Sequence, residues 1–439
     1  MSAQKSDLEA LIDGSRFGPA QIRITALCAS VAMADGFDTQ SIALAAPDIA
    51  ADWGVMPGAF GIVFGAGLLG SLLGALSFGS LADRMGRKPS LLAAVGVFAL
   101  ASLVTPFTTS VPGLILVRLV TGLGLGGALP AVISLTSEYA PRRLRATVVG
   151  IMFCGFPLGA VIGGIAAAGL IPAFGWQSLF YVGSLVPLLL LPLIEILVPE
   201  SIRYLAMVQD RAAIYAVLEQ MKCESEWNGQ IPPAAQVSRA SVASLFRDGR
   251  ALGTLLLSLT FLLSLLLSYF LVNWLPLVAR RGGFGMTSAV LAVAALNLGA
   301  IVGCLLIGRL ADRHGPTLPV SGAYGLGAGA IALIGTAQSD VMFLATAFAA
   351  GFLSIGAQMC MVALCATFYE TPLRATGVGW SLGIGRVGAI FGPSIGGMLI
   401  SAGMVTSTLF LIAGGVSMGA GAAVLAVGWL VLRERTDGS

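Results

Sequence analysis

Asp35 and Asp38 lie in the middle of the first long apolar run, between Ile24–Ala34 and Ser41–Pro47. An acid at the centre of a membrane-length helix costs about 2.5–3.5 kcal/mol on insertion scales. Such residues usually face water-filled cavities and are there for function. Three-residue spacing puts both carboxylates on one helix face. Two arginines, Arg118 and Arg386, are embedded in apolar runs in the same way. Arginine stays charged and offers a planar fork that fits a carboxylate. The single histidine, His314, falls in a loop, so carboxylates must carry any proton through the apolar segments. Two proton-binding acids and two anion-binding cations read as the working parts of a proton-coupled transporter. The opposing reading is that the first run is no membrane helix and its acids are solvated.

The elements that would position these residues are apolar helices. Of 439 residues, 57% are hydrophobic and only 10% are charged, whereas soluble domains carry about 25% charged residues. An all-α membrane protein is expected. Its 58 glycines, about twice average usage, suit close helix packing in lipid. A span takes roughly 20 apolar residues. Twelve such runs are readable, at 22–50, 58–83, 88–109, 112–136, 144–170, 176–198, 251–279, 286–311, 317–338, 340–368, 374–401 and 405–432. The expected domains are a six-helix bundle over 1–198, a cytoplasmic loop over 199–250 and a second six-helix bundle over 251–439. In the loop, Ile214, Val217, Leu218 and Met221 recur at helical spacing, predicting short surface helices that tether the halves. All but four of the 24 lysines and arginines fall on the side shared by both termini. Arg118 and Arg386 are within spans, and Arg280 and Arg281 sit on opposite loops. The positive-inside rule then makes both termini cytoplasmic. The polar start lacks the pattern of a cleavable signal peptide. Five of six cysteines lie in apolar runs, so neither a disulfide framework nor a metal cluster is expected.

The two halves repeat each other. Gly79–Gly86 (GSLADRMG) matches Gly308–Gly315 (GRLADRHG), and Arg145–Gly150 (RATVVG) matches Arg374–Gly379 (RATGVG). Both matches have the same offset, 229 residues (312 − 83 and 374 − 145). A duplicated six-helix unit follows, an architecture that in transporters places the binding site at the interface of the repeats.

Gly79 to Leu92, GSLADRMGRKPSLL, resembles the signature loop between the second and third helices of the major facilitator superfamily. Within that superfamily, Asp35-Gly-Phe-Asp-Thr resembles the aromatic acid:proton symporter family. So do Gly356-Ala357-Gln358, Phe368-Tyr369, Arg374–Gly377 and Leu382–Gly388. The resemblance covers essentially the whole chain. It implies a monomeric importer of 4-hydroxybenzoate, protocatechuate and related ring carboxylates in the bacterial cytoplasmic membrane. Protons would be the coupling ion, no cofactor would be needed, and Asp35, Asp38 and Asp83 would be the functional acids. Proton-driven drug exporters resemble one another in a Gly-x-x-x-Gly-Pro-x-x-Gly-Gly run in the fifth helix. Here the run at Gly159–Gly164 lacks the proline, and the full pattern stands at Gly388–Gly397 instead. That departure weakens the exporter reading. Symport of another organic anion, such as a dicarboxylate or muconate, is the alternative.

Arg386 lies about twelve residues, roughly 18 Å, into its span. It either binds the substrate carboxylate or pairs with an acid of the first helix. Its repeat equivalent is Pro157, so duplication does not explain it. Arg118 and Asp38 are expected to lie close enough to couple, as a proton switch or as a fixed salt bridge. Asp35, nearer the midplane, is the first choice as proton carrier. Phe37, Tyr269, Asn273, Trp274, Gln358 and Trp380 are candidates to hold the ring, with Trp274 alternatively an interfacial belt residue. Asp83, Arg84, Glu138, Arg145, Asp312 and Arg313 read as a cytoplasmic gate. Asp83 would pair with Arg145 or with the start of the eleventh helix, and Arg142 would join Glu138. Arg87 and Lys88 read equally well as simple positive-inside anchors. With no nucleophile–histidine pair, metal-ligand cluster or nucleotide loop, neither an enzyme nor a metal site is expected. The expected partners are the lipid bilayer and a small aromatic carboxylate, without nucleic acid.

Overall fold

The computed structural model describes residues 8–15, 17–141, 143–223, 227, 231, 242–247 and 249–437. Every regular element among them is helical. The first half contains α1 (Leu8–Gly14), α2 (Pro19–Trp53), α3 (Phe60–Met85), α4 (Arg87–Val104) and α5 (Val111–Tyr139). It continues with α6 (Arg145–Phe153), α7 (Gly155–Phe174), α8 (Gln177–Leu197), α9 (Ile202–Met207) and α10 (Arg211–Gln220). The second half runs through α11 (Ala251–Arg281), α12 (Met286–His314), α13 (Thr317–Ile334) and α14 (Asp340–Ala350). It ends with α15 (Gly356–Met359), α16 (Met361–Phe368), α17 (Thr371–Ser401) and α18 (Thr406–Asp437). Among the described residues, eleven helices are long and apolar enough to cross a membrane, and α2 is not one of them. Its four aspartates, Asp35, Asp38, Asp48 and Asp52, lower its hydropathy.

Three boundaries differ from the expectation. The fifth span is broken at Cys154 into α6 and α7. The tenth passes through a π turn, Gly351–Ile355, between α14 and α15. Arg280 and Arg281 form the last turn of α11 rather than a loop, because cations are favourable against the free carbonyls of a helix end. The polar N-terminal stretch also contains α1, which buries Leu8 and Ile12. One short face of three apolar residues is too little periodicity to read from sequence.

The 229-residue repeat reappears in how the helices touch. A Cβ added at Gly70 or Gly74 of α3 would come within 2.0 Å of the carbonyls of Leu119 or Leu123 in α5. The equivalents Gly299 and Gly303 of α12 would meet the carbonyls of Phe348 and Phe352 at 2.2 and 2.0 Å. Each of these residues lies 229 positions beyond its counterpart. Gly159 against Met33 and Gly388 against Leu262 repeat the pattern between α7 and α2 and between α17 and α11. Helix axes come this close only where glycine removes the side chain. Ser110 and Ser339, also equivalent, each N-cap the following helix, accepting from Gly113 N and Met342 N.

Contacts between Cα atoms divide the chain into two units. One is Met1–Thr39, Leu69–Gly163 and Gln177–Val237; the other is Gln40–Leu68, Gly164–Trp176 and Ser238–Ser439. In the first, α4 packs on α5 and α8. The face predicted on α10 is buried there: Ile214, Val217, Leu218 and Met221 share a core cluster with Leu8, Phe98 and Leu135. In the second unit, α11 packs on α17 and α18, and α13 on α18. There the start of α3 also meets α17, with Ser394 Oγ donating to the Gly61 carbonyl at 3.3 Å.

Candidate functional site

Asp38 and Arg118 meet inside the first unit. Arg118 Nη1 donates to Asp38 Oδ2 at 2.9 Å, and each side chain is only 3% exposed. Ser102 Oγ donates to the other carboxylate oxygen at 2.9 Å. Arg118 Nη2 donates to Thr105 Oγ1 at 2.6 Å, and the guanidinium stands 5.1 Å over the Phe180 ring. Four helices build this centre: α2 supplies the acid, α5 the cation, the end of α4 and the turn after it the two hydroxyls, and α8 the ring. Arg118 Nε is buried without an acceptor among the described residues, so the centre keeps one unsatisfied donor. Protonating Asp38 would remove the charge that compensates a buried guanidinium, a change the surroundings must answer. Ser102 and Thr105 escaped the sequence reading, although two hydroxyls three residues apart in an apolar helix were the available signal.

Asp35 is half-buried one turn before Asp38. It accepts from Thr39 Oγ1 at 3.4 Å and borders a small cavity lined otherwise by apolar residues, among them Val31, Phe98 and Leu125. Phe37 is buried, its ring against Gly183 of α8. The other ring candidates and Arg386 belong to the second unit. Arg386 is half-buried on α17. Trp274 is fully buried, donates its indole N–H to the Pro393 carbonyl at 3.0 Å and meets Phe64 edge-on, an arrangement that ties α11 to α17 and α3. Asn273 is buried and donates to the Tyr269 carbonyl at 2.7 Å, while Tyr269 itself is half-buried. Trp380 is half-buried, with its N–H on Ser258 Oγ at 3.1 Å. Gln358 is half-buried just after the π turn, a distortion often found at functional sites.

The sequence profile of the Major Facilitator Superfamily matches residues 28–380. The chain belongs to that superfamily. It is therefore a multi-pass membrane protein of a transporter family and not an enzyme. It is 39% identical to a gallate transporter of Pseudomonas putida, over 97% of this chain and 96% of the relative. It is 40% identical to a 4-hydroxybenzoate transporter of Pseudomonas aeruginosa, over 92% and 91%. A 3-(3-hydroxy-phenyl)propionate transporter of Escherichia coli is 39% identical over 87% of each chain. The xylose transporter of Escherichia coli, solved in a partially occluded inward-open conformation, matches the fold at TM-score 0.71 and 17% identity. That match covers 92% of this chain and 97% of the other.

The superfamily signature loop is built differently from the expectation. Asp83 Oδ1 pairs with Arg87 Nη2 at 2.7 Å, while Arg145 faces Asp13 of α1 at 3.6 Å. Asp83 thus takes the cation one helical turn away, and α1 brings an acid to Arg145. The N-terminus of α4 is capped by Glu200, which the sequence reading missed. Its Oε1 accepts from Arg87 N at 2.7 Å and Lys88 N at 3.1 Å, satisfying free amides at the positive end of the helix. Gly86, at φ +103°, makes room: a Cβ there would stand 2.2 Å from Glu200 Oε2. Glu138 accepts from Ser134 at 2.6 Å and Ser201 at 2.5 Å. Tyr204 donates to the Arg84 carbonyl at 3.1 Å. Arg313 is exposed in the last turn of α12. Arg142 and the side chain of Asp312 lie outside the described residues.

Proposed function

We propose that this chain imports an aromatic carboxylate together with protons, by alternating access, across a bacterial cytoplasmic membrane with both termini inside. The observation that carries the proposal is the buried Asp38–Arg118 centre in a chain whose relatives transport gallate, 4-hydroxybenzoate and a hydroxyphenylpropionate. Those three compounds share a ring and one carboxylate and differ in their hydroxyl groups and in the spacer between ring and carboxylate. Arg386 binds the carboxylate through its planar fork. Gln358, Tyr269 and Trp380 select among ring substituents, and Phe37 shapes the wall beside Asp35. Asp35 loads and releases the proton, and Asp38 with Arg118 reports the loading to the helices. Asp83, Arg84, Glu138, Arg145, Asp312 and Arg313 stabilise the cytoplasmic side. The coupling ion is the proton, with no cofactor, and the working unit is the monomer.

Uptake of labelled 4-hydroxybenzoate into proteoliposomes under an imposed inward proton gradient tests this reading. The unmutated protein accumulates label above equilibrium. Asp35→Asn loses that accumulation but still exchanges label for unlabelled substrate. Absence of accumulation by the unmutated protein, with gallate and benzoate failing to compete, overturns it.

A further inference from the structure

The C-terminal ends of α2 and α11 are equivalent in the repeat and carry opposite charge. Gly54 and Gly283, 229 residues apart, follow these two ends at φ +63° and +82°. Asp48 and Asp52 occupy the last turns of α2, whereas Arg280 and Arg281 end α11. The position equivalent to Asp48 is Leu277, and those equivalent to Arg280 and Arg281 are Ala51 and Asp52. Cations suit the free carbonyls of a helix C-terminus and acids do not. The arginines therefore fit their helix end, and the aspartates need another reason to be at theirs.

Within the second unit each aspartate has a partner, and the two partners differ in quality. Asp52 accepts the Trp176 indole N–H at 2.8 Å, and that ring meets Trp53 edge-on. Asp48 has Arg280, with Nη1 3.6 Å from Oδ2. At that distance the ions attract without a hydrogen bond. Asp48 Oδ2 is buried and accepts no hydrogen bond among the described residues. A buried, unbonded carboxylate oxygen is an expensive arrangement. A carboxylate free to orient itself would instead engage a guanidinium at about 2.7–2.9 Å, commonly through both oxygens. Arg280 is 38% exposed, so an anion from solution reaches it.

We propose that Arg280 is the first docking point for the substrate carboxylate, and that Asp48 occupies it as an internal stand-in until the substrate arrives. The proposal rests on the aromatic-acid reading above, which supplies the anion and places this end of the helices outside. Arrival of the substrate exchanges one carboxylate for another on Arg280. The exchange breaks the ionic tie between the ends of α2 and α11 while keeping Arg280 neutralised. Arg281, exposed beside it, adds positive field that draws anions to this end.

The sign of two substitutions separates this exchange from a plain salt-bridge lock. Uptake is measured with labelled 4-hydroxybenzoate in right-side-out and inverted vesicles containing the full chain. Asp48→Asn removes the competitor, and KM from the outer face falls about threefold, the scale of a partly exposed ion pair. Arg280→Gln removes the docking group, and KM from the same face rises by a similar factor. KM from the inner face stays unchanged in both variants. 4-Hydroxybenzamide, the uncharged analogue, competes with the label equally well in Arg280→Gln and in the unmutated protein. If both substitutions move the outer-face KM in one direction, or neither moves it, while the unmutated protein transports normally, the proposal fails. If the unmutated protein does not transport the acid at all, the aromatic-acid reading fails instead.

Discussion

The two halves of the chain share one backbone plan and fill it with opposite chemistry at one place. Glycine seams, N-caps and positive-φ glycines recur 229 residues apart. Yet the positions equivalent to Asp38, Ser102, Thr105 and Arg118 are Leu267, Ile331, Ile334 and Ala347, all buried. The same six-helix plan is therefore completed with an ion pair and two hydroxyls in one half and with hydrocarbon in the other. Replacing a buried ion pair by well-packed apolar residues is often neutral or stabilising. The second half shows that this fold has such a solution available. The charged centre is thus not a requirement of folding, which favours the switch over the fixed salt bridge. Arg386 is the converse case, a cation whose first-half equivalent is Pro157.

Transplanting the apolar set is the most severe test of that argument. Arg118→Ala alone leaves Asp38 buried without its cation, and a loss of about 3–5 kcal/mol is expected, read as a large fall in melting temperature in detergent. The fourfold variant Asp38→Leu/Ser102→Ile/Thr105→Ile/Arg118→Ala carries the second half's residues. It is expected to melt at or above the unmutated protein and to transport nothing. A fourfold variant that melts as low as Arg118→Ala would show that the charges hold the first half together, and the comparison between halves would lose its force.

A smaller effect is expected at the shared seams. Gly74→Val and Gly303→Val each drive a side chain into a helix carbonyl that a Cβ would already approach to 2.0 Å. Overpacking of this kind costs about 1–3 kcal/mol, and the two losses should agree closely. A clear difference between their melting temperatures would mean that the halves share geometry without sharing packing energy.

The seams also mark what was legible in the sequence. Helix existence and the duplication were readable because hydropathy and a repeated offset are properties of the whole chain. The proximity of Asp38 and Arg118 was readable because few charges lie deep inside apolar runs, so few pairings compete. The loop charges were harder. Asp83 has Arg84, Arg87, Lys88 and Arg145 within reach of sequence reasoning, and geometry selects Arg87. Glu200 caps α4 across 113 residues of chain, and no local pattern announces such a partner. The break at Cys154 and the π turn at Gly351 follow from how neighbouring helices pack, which periodicity along one helix does not contain.

The smallest of these effects bears on that capped end. Gly86 and Gly315 are equivalent, and both hold positive φ, at +103° and +80°. Alanine is strained at either position, by roughly 1–2 kcal/mol. At Gly315 a Cβ meets nothing within 4 Å, so strain is the whole cost. At Gly86 it meets Glu200 Oε2 and displaces the carboxylate from the amides of Arg87 and Lys88. Gly86→Ala should therefore lower the melting temperature more than Gly315→Ala. Adding Glu200→Gln to each separates the terms: the second substitution should cost little in Gly86→Ala, where the cap is already displaced, and its full amount in Gly315→Ala. Equal costs in both backgrounds would show that the Glu200 cap survives the alanine, and the asymmetry between the two signature loops would then be one of sequence only.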